Sequence, residues 1–106
     1  MAARFREAEN AAREAYHRRQ EVFGVEDPDT LETMRRLALA LEKQNRFAEA
    51  EKASRMVLDV RRRVLGPEHP KTLKASDDLG VLLVEEDRYS EAERYFSRRW
   101  RVRSEC

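Results

Sequence analysis

Val64–Leu73 reads VLGPEHPKTL, and Val22–Leu31 reads VFGVEDPDTL. Gly24, Glu26, Pro28, Thr30 and Leu31 match Gly66, Glu68, Pro70, Thr72 and Leu73, each pair 42 residues apart. Self-similarity at a period of about 20–50 residues marks stacked supersecondary units, none of which buries its apolar face alone. Gly enters the left-handed backbone region without a Cβ penalty, so it ends a helix. The residue before a Pro is pushed to extended angles, which suits an N-cap, and Pro at the first helical position loses no needed donor. Each copy of the stretch therefore stops one helix and starts the next. Asp27 is the better cap and His69 the poorer.

Outward from these two linkers, apolar spacings of three and four place five helices. The first runs from about 3 to 22 with Phe5, Ala8, Ala12, Ala15 and Tyr16 as its apolar stripe. The second, about 28 to 44, carries Leu31, Met34, Leu37, Ala38 and Leu41 and ends at Asn45, a residue suited to left-handed geometry. The third, about 46 to 64, carries Phe47, Ala50, Ala53, Val57, Leu58 and Val60. The fourth, about 70 to 86, carries Leu73, Leu79, Gly80 and Leu83; the fifth runs from about 88 towards the end with Tyr89, Ala92, Tyr95, Phe96 and Trp100. A second signature confirms the period: Arg4-Phe5-x-Glu7-Ala8-Glu9 becomes Arg46-Phe47-x-Glu49-Ala50-Glu51, then Arg88-Tyr89-x-Glu91-Ala92-Glu93. The expected fold is all-α, a right-handed superhelix of antiparallel helix pairs. It forms a single domain over 1–106, divided into a half repeat (1–24) and two full repeats (25–66 and 67–106).

A chain of 106 residues has room for one domain and buries roughly 60–65% of its unfolded surface. Its 22 basic and 21 acidic side chains nearly cancel, so net charge gives no reason to expect nucleic acid or an anionic membrane as partner. No apolar run approaches the roughly 20 residues that span a bilayer. The single cysteine, Cys106, excludes an intrachain disulfide and fits a reducing compartment. The Arg-rich start is unlike a mitochondrial presequence because it holds Glu7, Glu9 and Glu14. A cytoplasmic location is the expectation.

The pattern resembles tetratricopeptide repeats of the 42-residue, kinesin-light-chain-like type. The residues that carry the likeness are the linker LGPEHPKTL, then Leu79-Gly80-x-x-Leu83, then Arg88-Tyr89-x-Glu91-Ala92-Glu93. Leu37-Ala38-x-x-Leu41 and Arg46-Phe47-x-Glu49-Ala50-Glu51 repeat the order. The resemblance covers essentially the whole chain and implies a protein-binding helical scaffold. It departs from the kinesin light chains where those place paired Asn facing the groove: Arg35-Arg36 and Asp77-Asp78 stand there instead.

Stacked helical hairpins line their concave side with the first helix of each pair. The stripe that core positions leave free is Glu32, Arg35, Leu39 and Glu42 on the second helix, and Lys74, Asp77, Val81 and Val84 on the fourth. Charged members are what any solvated face carries; Leu39, Val81 and Val84 supply apolar area, and Arg35, Lys74 and Asp77 supply selectivity. The run Val81-Leu82-Leu83-Val84 is apolar all round, which places it either against a partner or deeper in the core. The expected partner is a protein or peptide, with self-association into a homodimer as the alternative. The Arg61–Arg63 run and the Arg98-Arg99-Trp100-Arg101-Val102-Arg103 tail invite a nucleic-acid reading. Yet acid early and base late in each such helix complements the helix dipole and accounts for them more simply. His17 and His69 have no partner at metal-ligand spacing, and there is no phosphate-cradling Gly loop, so no catalytic residue, metal or cofactor is expected.

Overall fold

The computed structural model describes residues 2–96. The basic tail around Trp100, and Cys106, lie outside the described residues. Five helices follow one another: α1 (Ala2–Phe23), α2 (Pro28–Lys43), α3 (Phe47–Leu65), α4 (Pro70–Glu85) and α5 (Tyr89–Glu93). Among the described residues there is no strand. Each helix packs chiefly on its neighbours in sequence, as a stack of hairpins requires. No helix among the described residues is long and apolar enough to cross a membrane.

The helix ends follow from local chemistry. Gly24 and Gly66 adopt φ of 86° and 96°, and their amides donate to the Gln20 and Arg62 carbonyls. Asp27 and His69 are extended, with Pro28 and Pro70 opening the helices behind them. The Asp27 carboxylate accepts from the amides of Asp29 and Thr30 at 3.1 Å each and from the Thr30 hydroxyl at 3.3 Å. His69 Nδ1 accepts only the Lys71 amide, at 3.1 Å, and the equivalent Thr72 hydroxyl is buried without a partner. Asn45 is left-handed at φ 61°, and so is Asp87 at φ 62°, which the sequence reading did not anticipate. At both, paired backbone bonds close the helix in a Schellman turn: Asn45 to Glu42 and Arg46 to Leu41, then Asp87 to Val84 and Arg88 to Leu83.

The core runs through the stack. Leu41, Val57, Leu58, Leu79 and Leu83 are fully buried, with Tyr16 and Ala92 at its two ends. Ala50 and Ala92 are buried where α3 and α5 meet the helices before them. Their counterpart Ala8, expected on the buried stripe of α1, is exposed, because no described helix precedes α1 to cover it. The apolar run divides: Leu82 and Leu83 are buried and Val84 packs against the core, while Val81 stays 44% exposed.

α5 does not continue as an unbroken helix. After Glu93 the amides of Arg94 and Tyr95 bond to Glu91 and Ala92, the tighter i→i+3 pattern of a last turn. The Ser76 hydroxyl donates to the Tyr95 carbonyl, tying that turn to α4. Phe96 then lies against Gly80, where an added Cβ would come within 2.9 Å of its ring. One period earlier the pair is Ala38 and Ser54. The second hairpin sets a large ring against no side chain; the first sets a hydroxymethyl against a methyl.

Candidate interaction surface

That exchange of sizes has a geometric result. In the first hairpin Ser54 is too small to fill the place that Phe96 occupies in the second. A cleft of about 160 Å³ opens there, lined by Arg35, Ala38, Leu39 and Glu42 of α2, Ser54 of α3, and Asp78 and Val81 of α4. Leu39 and Val81 are 41% and 44% exposed on its walls.

Four of the eight residues expected on the concave face line this cleft: Arg35, Leu39, Glu42 and Val81. Glu32 lies behind, bonded to Arg35. Lys74 is exposed, 3.9 Å from Asp78, while Asp77 and Val84 are half-buried outside the cleft. On α2 the expected stripe is therefore close. On α4 the cleft is lined by Val81 of the expected stripe and by Asp78, while Lys74, Asp77 and Val84 lie outside it. Asp78 was legible through the resemblance, in which Asp77-Asp78 stand at the groove-facing pair of positions. Ser54 was legible only by comparison with Phe96 one period later.

The charges around the cleft are unevenly answered. Arg35 bonds Glu32 at 3.0 Å and reaches Asp78 at 3.6 Å. Burial alone would raise Glu32, but the hydrogen bond and charge of Arg35, helped by Arg61 and Arg36, hold its carboxyl below the usual range. Arg61 is buried, donates to the Lys71 carbonyl at 3.1 Å and lies 3.6 Å from Glu32. It is therefore a strut between α3 and α4 and not part of a solvated, dipole-matching helix end. Asp78 is pushed up by burial, only partly offset by Lys74, Arg35 and Arg61, and its Oδ2 has no hydrogen-bond partner. Glu42 is pushed up to about 7, first by burial, then by the hydrogen bond and charge of Glu85 beside it.

A second constellation holds the stack together. Glu9, only 5% exposed, accepts from Arg13 at 2.9 Å, Gln44 at 3.0 Å and Arg46 at 2.5 Å. One period on, Glu51 accepts from Arg55 at 2.8 Å and Arg88 at 2.6 Å. Arg46 and Arg88 also bond Glu49 and Glu91 within their own helices. The hydrogen bond from Gln44, with Arg13 and Arg46, keeps Glu9 ionised below the usual carboxylate range against the cost of burial. The repeated Arg-aromatic-x-Glu-Ala-Glu signature is thus a staple: the Arg opening one copy grips the last Glu of the copy before. The dipole reading of those acids holds for Glu49 and Glu91, which do sit in first turns, but not for Glu9 or Glu51.

Packing chiefly between neighbours in sequence, two linkers with the same backbone geometry and a staple repeated after 42 residues define one repeated helical hairpin. No curated protein matches the chain. The family model described as "Tetratricopeptide repeat" matches residues 2–29 and again 30–71, the second match being one full period. The chain belongs to the tetratricopeptide repeat family.

Proposed function

We propose that the chain is a non-enzymatic interaction module whose α2–α4 face receives an extended peptide or a partner helix. Tetratricopeptide repeats generally mediate protein–protein contacts. The observation that carries the reading here is the cleft, which leaves Leu39 and Val81 uncovered on facing walls of one depression. Leu39, Val81 and the edge of Val84 give apolar area; Glu32, Arg35, Glu42, Lys74 and Asp77 set the polar frame. We divide the stack into the half repeat 1–24 and the repeats 25–66 and 67–106, the last described as far as Phe96. So short a groove binds weakly alone and gains from multiple contacts. The lone cysteine fits work in the cytoplasm.

The test is selection of displayed peptides on the wild-type chain, followed by affinity measurement against Val81→Glu. We expect the selected peptides to lose about tenfold or more, since a charge must then be buried against the peptide. Peptides that bind both proteins equally would remove the concave face from consideration. A second reading, self-association, is favoured by the exposed Ala8 side of α1 and by Val22 and Phe23, 73% and 60% exposed at its end. Light scattering that returns the monomer mass at tens of micromolar excludes it.

A further inference from the structure

We propose, resting on the groove reading above, that the cleft selects a basic segment: an extended peptide that sets a lysine or arginine side chain among Glu42, Glu85 and Asp78, with small apolar neighbours against Leu39 and Val81.

The argument begins with unanswered negative charge. Glu42 and Asp78 line the cleft, and Glu85 stands beside Glu42. Arg61 and Arg35 are committed to Glu32, and Arg35 reaches Asp78 only at 3.6 Å. Lys74 is exposed and at the limit of contact with Asp78. Glu42 faces two further carboxylates on α4, Glu85 and Asp78; on its own helix Lys43 offsets them and Arg35, bonded to Glu32, lines the same cleft, while α3 contributes the uncharged Ser54. Two neighbouring carboxyl groups are tolerated if one keeps a proton or if a cation joins them. Near neutral pH the proton is leaving, and a cation takes its place at no cost in like-charge repulsion.

The shape says what kind of cation. The carboxylates are not gathered as a metal-holding group among the described residues. Glu42 and Asp78 line a depression whose other walls are Ala38, Leu39, Val81, Ser54 and Arg35, the last already bonded to Glu32. Lysine and arginine carry a charged head on an aliphatic stem, which suits apolar walls beside carboxylates. A free metal ion would leave those walls uncovered; an acidic peptide would add charge of the wrong sign.

The experiment is a titration of the isotope-labelled chain with three short blocked peptides, alternating alanine with lysine, glutamine or glutamate, followed by amide shifts. We expect the lysine peptide to move amides in 35–42 and 78–85 and to bind about tenfold or more tightly than the glutamine peptide. Affinity for the lysine peptide should rise between pH 6 and 8 as Glu42 gives up its proton, while that for the glutamine peptide stays level. The variant Glu42→Gln/Glu85→Gln, checked for unchanged helicity by circular dichroism, should reduce the lysine peptide to the level of the glutamine one. Equal binding of both peptides at those amides, abolished by Val81→Glu, would overturn the charge preference and leave the groove reading standing. No shift at those amides with any peptide at millimolar concentration would overturn both.

Discussion

Replacing Gly80 by Ala should destabilise this protein, although the same change in an ordinary helix interior stabilises it. The favourable part is about 1 kcal/mol, the conformational penalty of Gly relative to Ala. Against it stands the Phe96 ring, with Cε1, Cδ1 and Cζ at 2.9, 3.1 and 3.2 Å from where the new methyl carbon would sit. The ring must move by several tenths of an ångström, and it is tied down: Ser76 holds the Tyr95 carbonyl next to it. Overpacking of this kind costs about 1–3 kcal/mol, so the net loss is about 1 kcal/mol. In a Phe96→Ala background the obstruction is gone and Gly80→Ala should stabilise by about 1 kcal/mol, a coupling of about 2 kcal/mol. Urea unfolding of the four proteins followed by circular dichroism measures it. Gly80→Ala that stabilises equally in both backgrounds would refute the packing of Phe96 on α4, and with it the explanation of the cleft as the space that Ser54 leaves empty.

Three further outcomes are expected. His69→Asp should raise stability by about 1 kcal/mol, because a carboxylate gives the Thr72 amide and its partnerless hydroxyl the acceptor that Asp27 gives Thr30; an unchanged melting temperature refutes it. Glu51→Gln should cost about 1 kcal/mol at pH 7 and speed hydrogen exchange in α5. Burial raises Glu51, but Arg55 and Arg88 outweigh it and lower its folded pKa, so the stabilisation exists above about pH 4.5 and disappears as pH falls through the lower folded value, where the two proteins should converge. Glu42 has the opposite sign: with its folded pKa raised to about 7, the fold loses stability as pH rises from about 4.5 through 7. Glu42→Gln should therefore be neutral at pH 4 and stabilising by about 1 kcal/mol at pH 8, the full linkage value being reduced by solvent screening; identical curves at both pH values refute it.

What the sequence made legible is local, and what it hid is tertiary. Gly24, Pro28, Asn45 and Pro70 could be read because their backbone preferences act within a few residues. Asp87 escaped notice inside an acidic run, although its position one period after Asn45 was the available signal. Arg35, Leu39 and Glu42 on α2 and Val81 on α4 line the cleft, while the part played by Asp78 and Ser54 depends on how α2, α3 and α4 come together, which no single helix reveals. Glu42 and Glu85 stand 43 residues apart, so aligning the repeats never pairs them. Ala8 has the right residue type for burial, but no described helix covers it. The staples were visible as letters but not as bonds, because Arg46 and Arg88 reach backwards across nearly one period.

Those backward-reaching arginines bear on how the protein comes apart. In a linear stack, stability is the sum of what each unit holds alone and what it shares with the next. The Glu9–Arg46 and Glu51–Arg88 bonds belong wholly to the shared part, whereas the Asp27 and His69 caps belong to single units. Glu9 and Glu51 are largely buried, so salt screens these bonds less than exposed pairs such as Arg18–Glu14, and acid is what loosens the coupling. As pH falls through the lowered values of Glu9 and Glu51, unfolding should pass from one concerted step towards a broad, sequential unzipping.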